Sequence, residues 1–134
     1  MTVDYAAGER LLDRFGHAWE TFDGDTWVDL FTEDARYHGD PFASPLEGHN
    51  ALRAQMLESA ATQEDVEFTV ERHWVVGDTV LAAWHASYRR KGTTELVRFA
   101  GFITMEVAPD GRISRLHQWW MVRPPDAPDQ EGHG

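Results

Sequence analysis

The sequence predicts an α+β fold in which three N-terminal helices pack on a strongly curved, mainly antiparallel sheet. Two observations support this. Apolar residues recur every three or four positions in the first 60 or so residues, as in amphipathic helices. Four later segments instead alternate apolar and polar residues and are separated by glycine-containing turns, as in a β-meander. Helices followed by a run of strands are typical of α+β proteins, and 134 residues suit one domain.

The first helix is predicted over residues 4–22, where large apolar residues share one face. These are Leu11, Leu12, Phe15, Ala18, Trp19 and Phe22. We expect Gly24 to end this helix and Asp25 to cap a short second helix that contains Trp27. Two helices should therefore meet at a tight corner.

A short strand over residues 35–39 is predicted to end at Asp40-Pro41, because proline has no backbone N–H for a sheet. Residues 41–48 should form a loop. Residues 50–61 then fit a third helix whose buried face is formed by Leu52, Met56, Leu57 and Ala60.

Four long strands should follow as a meander. In the first, over residues 66–76, the buried face is predicted to hold Val66, Phe68, Val70, Trp74 and Val76. Turns at Gly77-Asp78, Lys91-Gly92 and Pro109-Asp110-Gly111 leave strands over residues 79–89, 95–107 and 113–122. The domain should span residues 1–123, because the proline-rich acidic stretch 124–134 has little to bury and is predicted to be disordered.

Composition excludes several functions. The chain has no cysteine, so it can form no disulfide, thiolate–metal site or cysteine nucleophile. A net charge of -11 without any basic cluster argues against nucleic-acid binding. Asp4 and Glu9 stand where a signal peptide needs basic and apolar residues, and no apolar run reaches membrane-spanning length. We therefore expect a soluble cytoplasmic protein with no membrane partner.

Five segments carry a resemblance to a known family. They cover residues 22–27, 30–35, 40–48, 76–78 and 110–113. With them the chain resembles SnoaL-like members of the nuclear transport factor 2-like superfamily, which includes ketosteroid isomerase, polyketide cyclases and limonene-epoxide hydrolase. The resemblance spans residues 11–124 and implies a cone-shaped half-barrel with an apolar pocket between the sheet and the helices.

The resemblance also implies two site residues. Asp40-Pro41 is similar to the Asp-Pro of ketosteroid isomerases, in which the aspartate removes a proton beside a carbonyl. A carboxylate at the mouth of an apolar pocket is poorly solvated and so a stronger base. Alternatively, Asp40 caps a turn. Tyr37 resembles the water-positioning tyrosine of the epoxide hydrolases, or is simply a core aromatic residue.

The chain departs from both enzyme patterns. Counting from Gly111, the second acid of the isomerases falls on Ile103, and the last aspartate of the epoxide hydrolases falls on Gln118. The family's tyrosine in the first helix falls on His17, which helical spacing places toward solvent. Tyr37, Gln118 and His17 therefore remain as candidate hydrogen-bond donors.

Strand alternation predicts which residues line the pocket. With Trp19 from the first helix, the predicted lining is Trp84, Ala86, Tyr88, Phe99, Gly101, Ile103, Met105, Leu116, Gln118 and Trp120. The opposite face should hold His73, His85, Arg98, Phe102, His117 and Trp119. A homodimer interface is the favoured role for this outer face. Its histidines form no tight ligand motif, nor do His38 and Asp40, so we expect no metal and no cofactor.

The leading hypothesis is a cofactor-independent general acid/base enzyme. It would act on a small apolar carbonyl or polyketide-like compound by isomerisation, cyclisation or elimination, with Asp40 as the base. One alternative is a non-catalytic module for ligand binding or dimerisation, in which Asp40 is a cap. Another is an epoxide or other small-molecule hydrolase, in which Asp40 activates water beside Tyr37.

Overall fold

One open, six-stranded sheet with three helices packed against it makes up residues 3–124, the part of the chain that our computed structural model describes. The elements are α1 (Tyr5–Thr21), α2 (Gly24–Asp29), β1 (Phe31–His38), β2 (Leu46–Glu47), α3 (Gly48–Thr62), β3 (Gln63–Val76), β4 (Thr79–Arg90), β5 (Leu96–Val107) and β6 (Ile113–Val122). The predicted α+β cone with a mainly antiparallel sheet is confirmed. The predicted tail disorder concerns residues 125–134, which lie outside the described part.

The strand order is β2-β1-β6-β5-β4-β3. β1 runs parallel to β6, and the other neighbours are antiparallel, so the meander is as predicted. Helix α1 packs on β3, and α3 packs on β1. Within residues 3–124, none of the helices has the length and apolarity that crossing a membrane requires.

The corner between α1 and α2 forms two residues earlier than predicted. Phe22, not Gly24, adopts the left-handed conformation that ends α1, with φ of 53°. Asp23, not Asp25, caps α2, because its Oδ1 accepts from the backbone N–H of Thr26 at 3.1 Å. The hydrogen bond from the Thr26 backbone is also the largest cause of a lowered Asp23 pKa.

Strand β1 is longer than predicted because pairing with β6 extends it from Phe31 to His38. Strand β2, which was not predicted, pairs with Arg36 and Tyr37 of β1. Helix α3 begins at Gly48, and Leu57 is 68% exposed, so its assignment to the buried face was wrong.

A β-bulge in β3 reverses the predicted alternation. The register with β4 shifts between Val70 and Arg72, so one extra residue enters β3 there. Beyond the bulge, Val76 is exposed and Trp74 packs on the outer face against Phe102, with ring centroids 6.0 Å apart. The prediction that Trp74 and Val76 share the buried face was therefore wrong.

The same bulge turns His73 inward. Its side chain is only 7% exposed, stacks on the Tyr5 ring at 3.9 Å, and its Nε2 lies 3.0 Å from the Tyr5 carbonyl oxygen. The assignment of His73 to the outer face was wrong, and the residue instead ties β3 to the start of α1.

Candidate ligand-binding cavity

A cavity of about 310 Å³ lies between the sheet and the helices at the wide end of the cone. Its walls are mainly aromatic and aliphatic, with Phe15, Trp19, Trp27, Phe99 and Trp120 among them. Trp19 and Phe99 face each other at 5.9 Å, and Trp120 lies 6.0 Å from Phe99. Such walls suit a small, mostly apolar molecule.

The predicted lining is divided between the cavity and the core. Trp19, Tyr88, Phe99 and Trp120 line the cavity, as do Tyr37 and Gln118. Four others fill the narrow end of the cone as fully buried core: Trp84, Ile103, Met105 and Leu116. Their assignment to the pocket was wrong because strand alternation fixes the face on which a residue lies but not its depth along the cone.

Tyr37 and Gln118 form the central polar contact of the cavity. The Tyr37 hydroxyl donates to Gln118 Oε1 at 2.6 Å. Burial raises the Tyr37 pKa to about 12, and a hydrogen bond from the Gln55 side chain opposes part of this rise. Tyr37 is therefore a neutral hydrogen-bond donor at ordinary pH.

Gln55, which was not predicted as a site residue, lines the cavity from α3. Its Oε1 accepts from Trp27 Nε1 at 3.2 Å. Gln55 lies three residues after the buried Leu52 and one before the buried Met56, so helical spacing places it on the inward face. A polar side chain on that otherwise apolar face was the signal that could have revealed it.

A second tryptophan–glutamine pair lies in the lining, where Trp19 Nε1 donates to Gln63 Oε1 at 2.9 Å. Arg90 also lines the cavity and pairs with Glu95 at 2.9 Å. Among the residues described, 3–124, the lining includes no carboxylate and no imidazole. Its neutral polar side chains also include Ser59, whose hydroxyl can both donate and accept a hydrogen bond.

Asp40 lies outside this cavity. Its exposed carboxylate accepts from the backbone N–H of Phe42 at 2.8 Å, which is the turn-capping role considered as the alternative. Asp40 lines a neighbouring open groove together with Trp119 and Met121. Gln118 and Trp120 line both concavities and stand between Asp40 and the cavity.

His17 is also outside the cavity, on the exposed side of α1. Its backbone carbonyl accepts from Thr21 Oγ1 at 2.7 Å, and within residues 3–124 its imidazole has no hydrogen-bond partner. The proposed donor role of His17 was wrong because its side chain points away from the sheet, as helical spacing indicated.

The outer face of the sheet carries a stacked histidine pair. The rings of His38 and His117 lie 4.1 Å apart at an interplanar angle of 6°, and Trp119 stacks on His117 at 5.7 Å. Burial, followed by the charges of His117, Arg115 and Arg36, lowers the His38 pKa. Within residues 3–124, no group of three or more His, Asp or Glu side chains is placed to hold a metal ion.

Helices packed on an open, mainly antiparallel cone-shaped sheet, with an apolar cavity between them, form the fold of nuclear transport factor 2-like proteins. Within this class, residues 12–116 match the model of the SnoaL-like domain. The chain therefore belongs to the SnoaL-like family. No curated protein matches it in sequence.

Solved structures share this fold at low identity. SalBIII, an epoxide hydrolase/cyclase-like enzyme involved in pyran ring formation in the polyether salinomycin, is 18% identical with a TM-score of 0.77, covering 88% of this chain and 93% of that one. A candidate isomerase from Bacillus subtilis is 22% identical with a TM-score of 0.76, covering 87% and 88%. A candidate SnoaL-like polyketide cyclase from Shewanella denitrificans is 15% identical with a TM-score of 0.75, covering 85% and 90%.

Proposed function

We propose that this protein binds a small, mostly apolar carbonyl or polyketide-like compound in the cavity and holds its oxygen at Gln118. The observation that carries the proposal is the 2.6 Å hydrogen bond between Tyr37 and Gln118 within mainly aromatic walls. A neutral phenol bonded to the Gln118 oxygen leaves the Gln118 amide N–H groups for a ligand. The Gln118 amide, held in this orientation by Tyr37, would also stabilise negative charge that develops on a substrate oxygen.

Binding can be tested with α-tetralone, a bicyclic ketone with one oxygen. We expect saturable binding by isothermal titration calorimetry, accompanied by a change in tryptophan fluorescence because Trp19 and Trp120 line the cavity. Gln118→Met removes the amide while keeping an unbranched side chain and should weaken the affinity about tenfold. Ser87→Met, on the outer face of β4, is the matched control and should bind like the wild type.

A second candidate function is acid/base catalysis with Asp40 as the base. The supporting observation is that Gln118 and Trp120 line both the cavity and the groove that holds Asp40. A substrate that reached past Trp120 would thus meet the amide on one side and the carboxylate on the other. Trp120 is held there by donation from its Nε1 to the Gly39 carbonyl oxygen at 3.2 Å.

Proton abstraction can be measured directly as deuterium exchange at the carbon beside the tetralone carbonyl. Asp40→Asn is the most informative variant because the asparagine side-chain oxygen can still accept from the backbone N–H of Phe42 and preserve the turn. If Asp40 is a catalytic base, the wild type should exchange this hydrogen faster than buffer alone, and Asp40→Asn should abolish the difference. Exchange at the buffer rate in both proteins, with binding intact, would favour a binding module. Asp40→Asn also tests the alternative that the protein is an epoxide hydrolase, with hydrolysis of styrene oxide as the measurement.

We also propose that the outer sheet face joins two copies of the chain. Trp119 and Met121 are 44% and 80% exposed there, and Trp74 and Phe102 extend the same surface. Aromatic residues and methionine are enriched at protein interfaces.

A further inference from the structure

We infer that the ligand of this cavity is an apolar carboxylic acid, whose carboxylate is bound by Arg90 at the cavity mouth while its body fills the aromatic interior. The inference rests on the proposed function, because it concerns the compound whose other end would lie at Gln118. Three features of Arg90 support it: its charge, its incomplete pairing and its place at one end of the cavity.

Arg90 is the one charged side chain in the cavity lining, among the residues that the structure describes. Its ion-pair partner, Glu95, is not part of that lining. The chain as a whole carries a net charge of -11, so the cavity wall differs in sign from the rest of the molecule. A positive charge beside an otherwise neutral and mostly apolar space favours a ligand with an anionic group.

The ion pair with Glu95 leaves part of the Arg90 guanidinium unused. Nε of Arg90 lies 2.9 Å from Glu95 Oε2. A guanidinium has five N–H groups, and a carboxylate occupies two of them even in the bidentate arrangement. Within the described part of the chain, residues 3–124, no other group contacts this guanidinium. Several N–H groups therefore remain for the carboxylate of a ligand.

The position of Arg90 near solvent makes this exchange of partners inexpensive. The Arg90 and Glu95 side chains are 52% and 57% exposed, and an ion pair in such a setting contributes little because water screens it. A ligand carboxylate can thus join or replace Glu95. It would also stay in contact with water, which avoids the large cost of carrying a charge into an apolar interior.

Strand pairing places Arg90 and Gln118 at opposite ends of the cavity. Gln118 lies opposite Ile103, and Ile103 lies opposite Ala82 near the start of β4, whereas Arg90 is the last residue of that strand. Aromatic side chains line the cavity at the levels between them, namely Trp120, Phe99 and Tyr88. A ligand that fills this space therefore has an apolar middle with a polar group at each end.

Gln63 adds a neutral donor beside Arg90. The two residues lie directly opposite each other on β3 and β4, and both line the cavity. Gln63 Oε1 accepts from Trp19 Nε1 at 2.9 Å, and among residues 3–124 its amide nitrogen has no hydrogen-bond partner. That nitrogen can donate to a carboxylate oxygen. An acid group at this end would thus meet a cation and an amide together.

The test compares β-naphthoate with β-naphthamide, which has the same skeleton but no charge. Titration calorimetry at low salt should give about tenfold tighter binding of the acid by the wild type, as expected of a charge-assisted hydrogen bond. High salt should reduce this preference because the half-exposed guanidinium is screened. Arg90→Met removes the cation and keeps a flexible stem, so the acid-to-amide affinity ratio should fall to about one.

Two further variants separate a local contact from a general effect of charge. Arg89→Met is the matched control: the residue is next in sequence, pairs with Asp65 at 3.4 Å and does not line the cavity, so the variant should keep the wild-type ratio. Glu95→Gln removes the competing carboxylate and should raise the ratio about threefold. It also decides the matter should Arg90→Met not fold, since an unchanged or lower ratio would contradict the role of Arg90.

Equal affinities of the wild type for acid and amide would overturn the inference. So would a ratio that is unchanged in Arg90→Met, or one that falls as far in Arg89→Met as in Arg90→Met. In each of these cases, binding of α-tetralone by the wild type would leave the proposed function standing. Failure of the acid, the amide and α-tetralone to bind the wild type would overturn both.

Discussion

The Tyr37 hydroxyl donates to Gln118 Oε1 at 2.6 Å and joins β1 to β6 across the wall of the cavity. The two strands run parallel, with Tyr37 opposite Leu116, so the bond crosses diagonally to the next inward residue of β6. Leu116 is core, whereas Gln118 lines the cavity. The bond therefore marks where the packed part of the cone ends and the ligand space begins.

Tyr37→Phe should change how stability depends on alkaline pH. In the unfolded chain a tyrosine ionises near pH 10, but burial raises the pKa of folded Tyr37 to about 12. The stabilisation from the neutral folded form is fully present below about pH 10 and is lost as the pH rises toward 12. Across this pH window the unfolding free energy of the wild type should therefore fall by roughly 1–3 kcal/mol more than that of Tyr37→Phe, as measured by urea unfolding. Parallel pH profiles for the two proteins would contradict this assignment.

His38 should make the fold sensitive to acid. Its pKa is lowered first by burial and then by the charge of His117, so the unfolded chain takes up this proton more readily than the folded one. The corresponding stability is present above about pH 6.5 and is lost as the pH falls toward the folded pKa. His38→Phe keeps a ring to stack on His117 and should flatten the profile between about pH 7 and pH 5. Urea unfolding at several pH values gives the unfolding free energy as a function of pH. If this dependence is the same in His38→Phe as in the wild type, His38 does not have this role.

The helices and the meander could be predicted because their signals are local. Spacing within α1 and alternation within β4, β5 and β6 each depend on a short window of sequence. The bulge after Val70 could not be predicted, because it exists only in the pairing of β3 with β4. One extra residue there exchanged the faces of His73 and Trp74.

The site was predictable in part. Tyr37 and Gln118 were identified because a family resemblance and strand parity place them on the concave face. Asp40 was given a cavity role through the same resemblance, yet its own turn chemistry, a bond from the Phe42 N–H, decides where its carboxylate points. Gln55 was not predicted because apolar spacing marks the inward face of a helix by its apolar residues alone, and a polar residue between Leu52 and Met56 carries no such signal.

Gly101 should not tolerate a side chain. A Cβ at this position would lie 2.1 Å from the Trp119 carbonyl oxygen and 2.8 Å from Trp84 Cζ2, and the backbone oxygen cannot move aside cheaply. Gly101→Ala should cost about 2–4 kcal/mol of unfolding free energy. Gly77→Ala is the comparison, because its Cβ meets nothing within 4 Å and only the positive φ of 63° opposes it, at about 1 kcal/mol. If Gly101→Ala and Gly77→Ala lose the same unfolding free energy, measured by thermal and urea unfolding, the close approach at Gly101 is not the cause.

The outer sheet face should hold a homodimer together through Trp119. A two-fold interface brings the same patch of both copies together, so Trp119→Asp removes aromatic contact area and adds a negative charge on each side. In sedimentation velocity we expect a wild-type dimer and a variant shifted to monomer. Leu57→Asp on α3 alters an apolar residue that is even more exposed than Trp119, and it should leave the dimer intact because that helix lies on the concave side. A dimer that persists in Trp119→Asp, or a wild type that sediments as a monomer, would exclude this face as the interface.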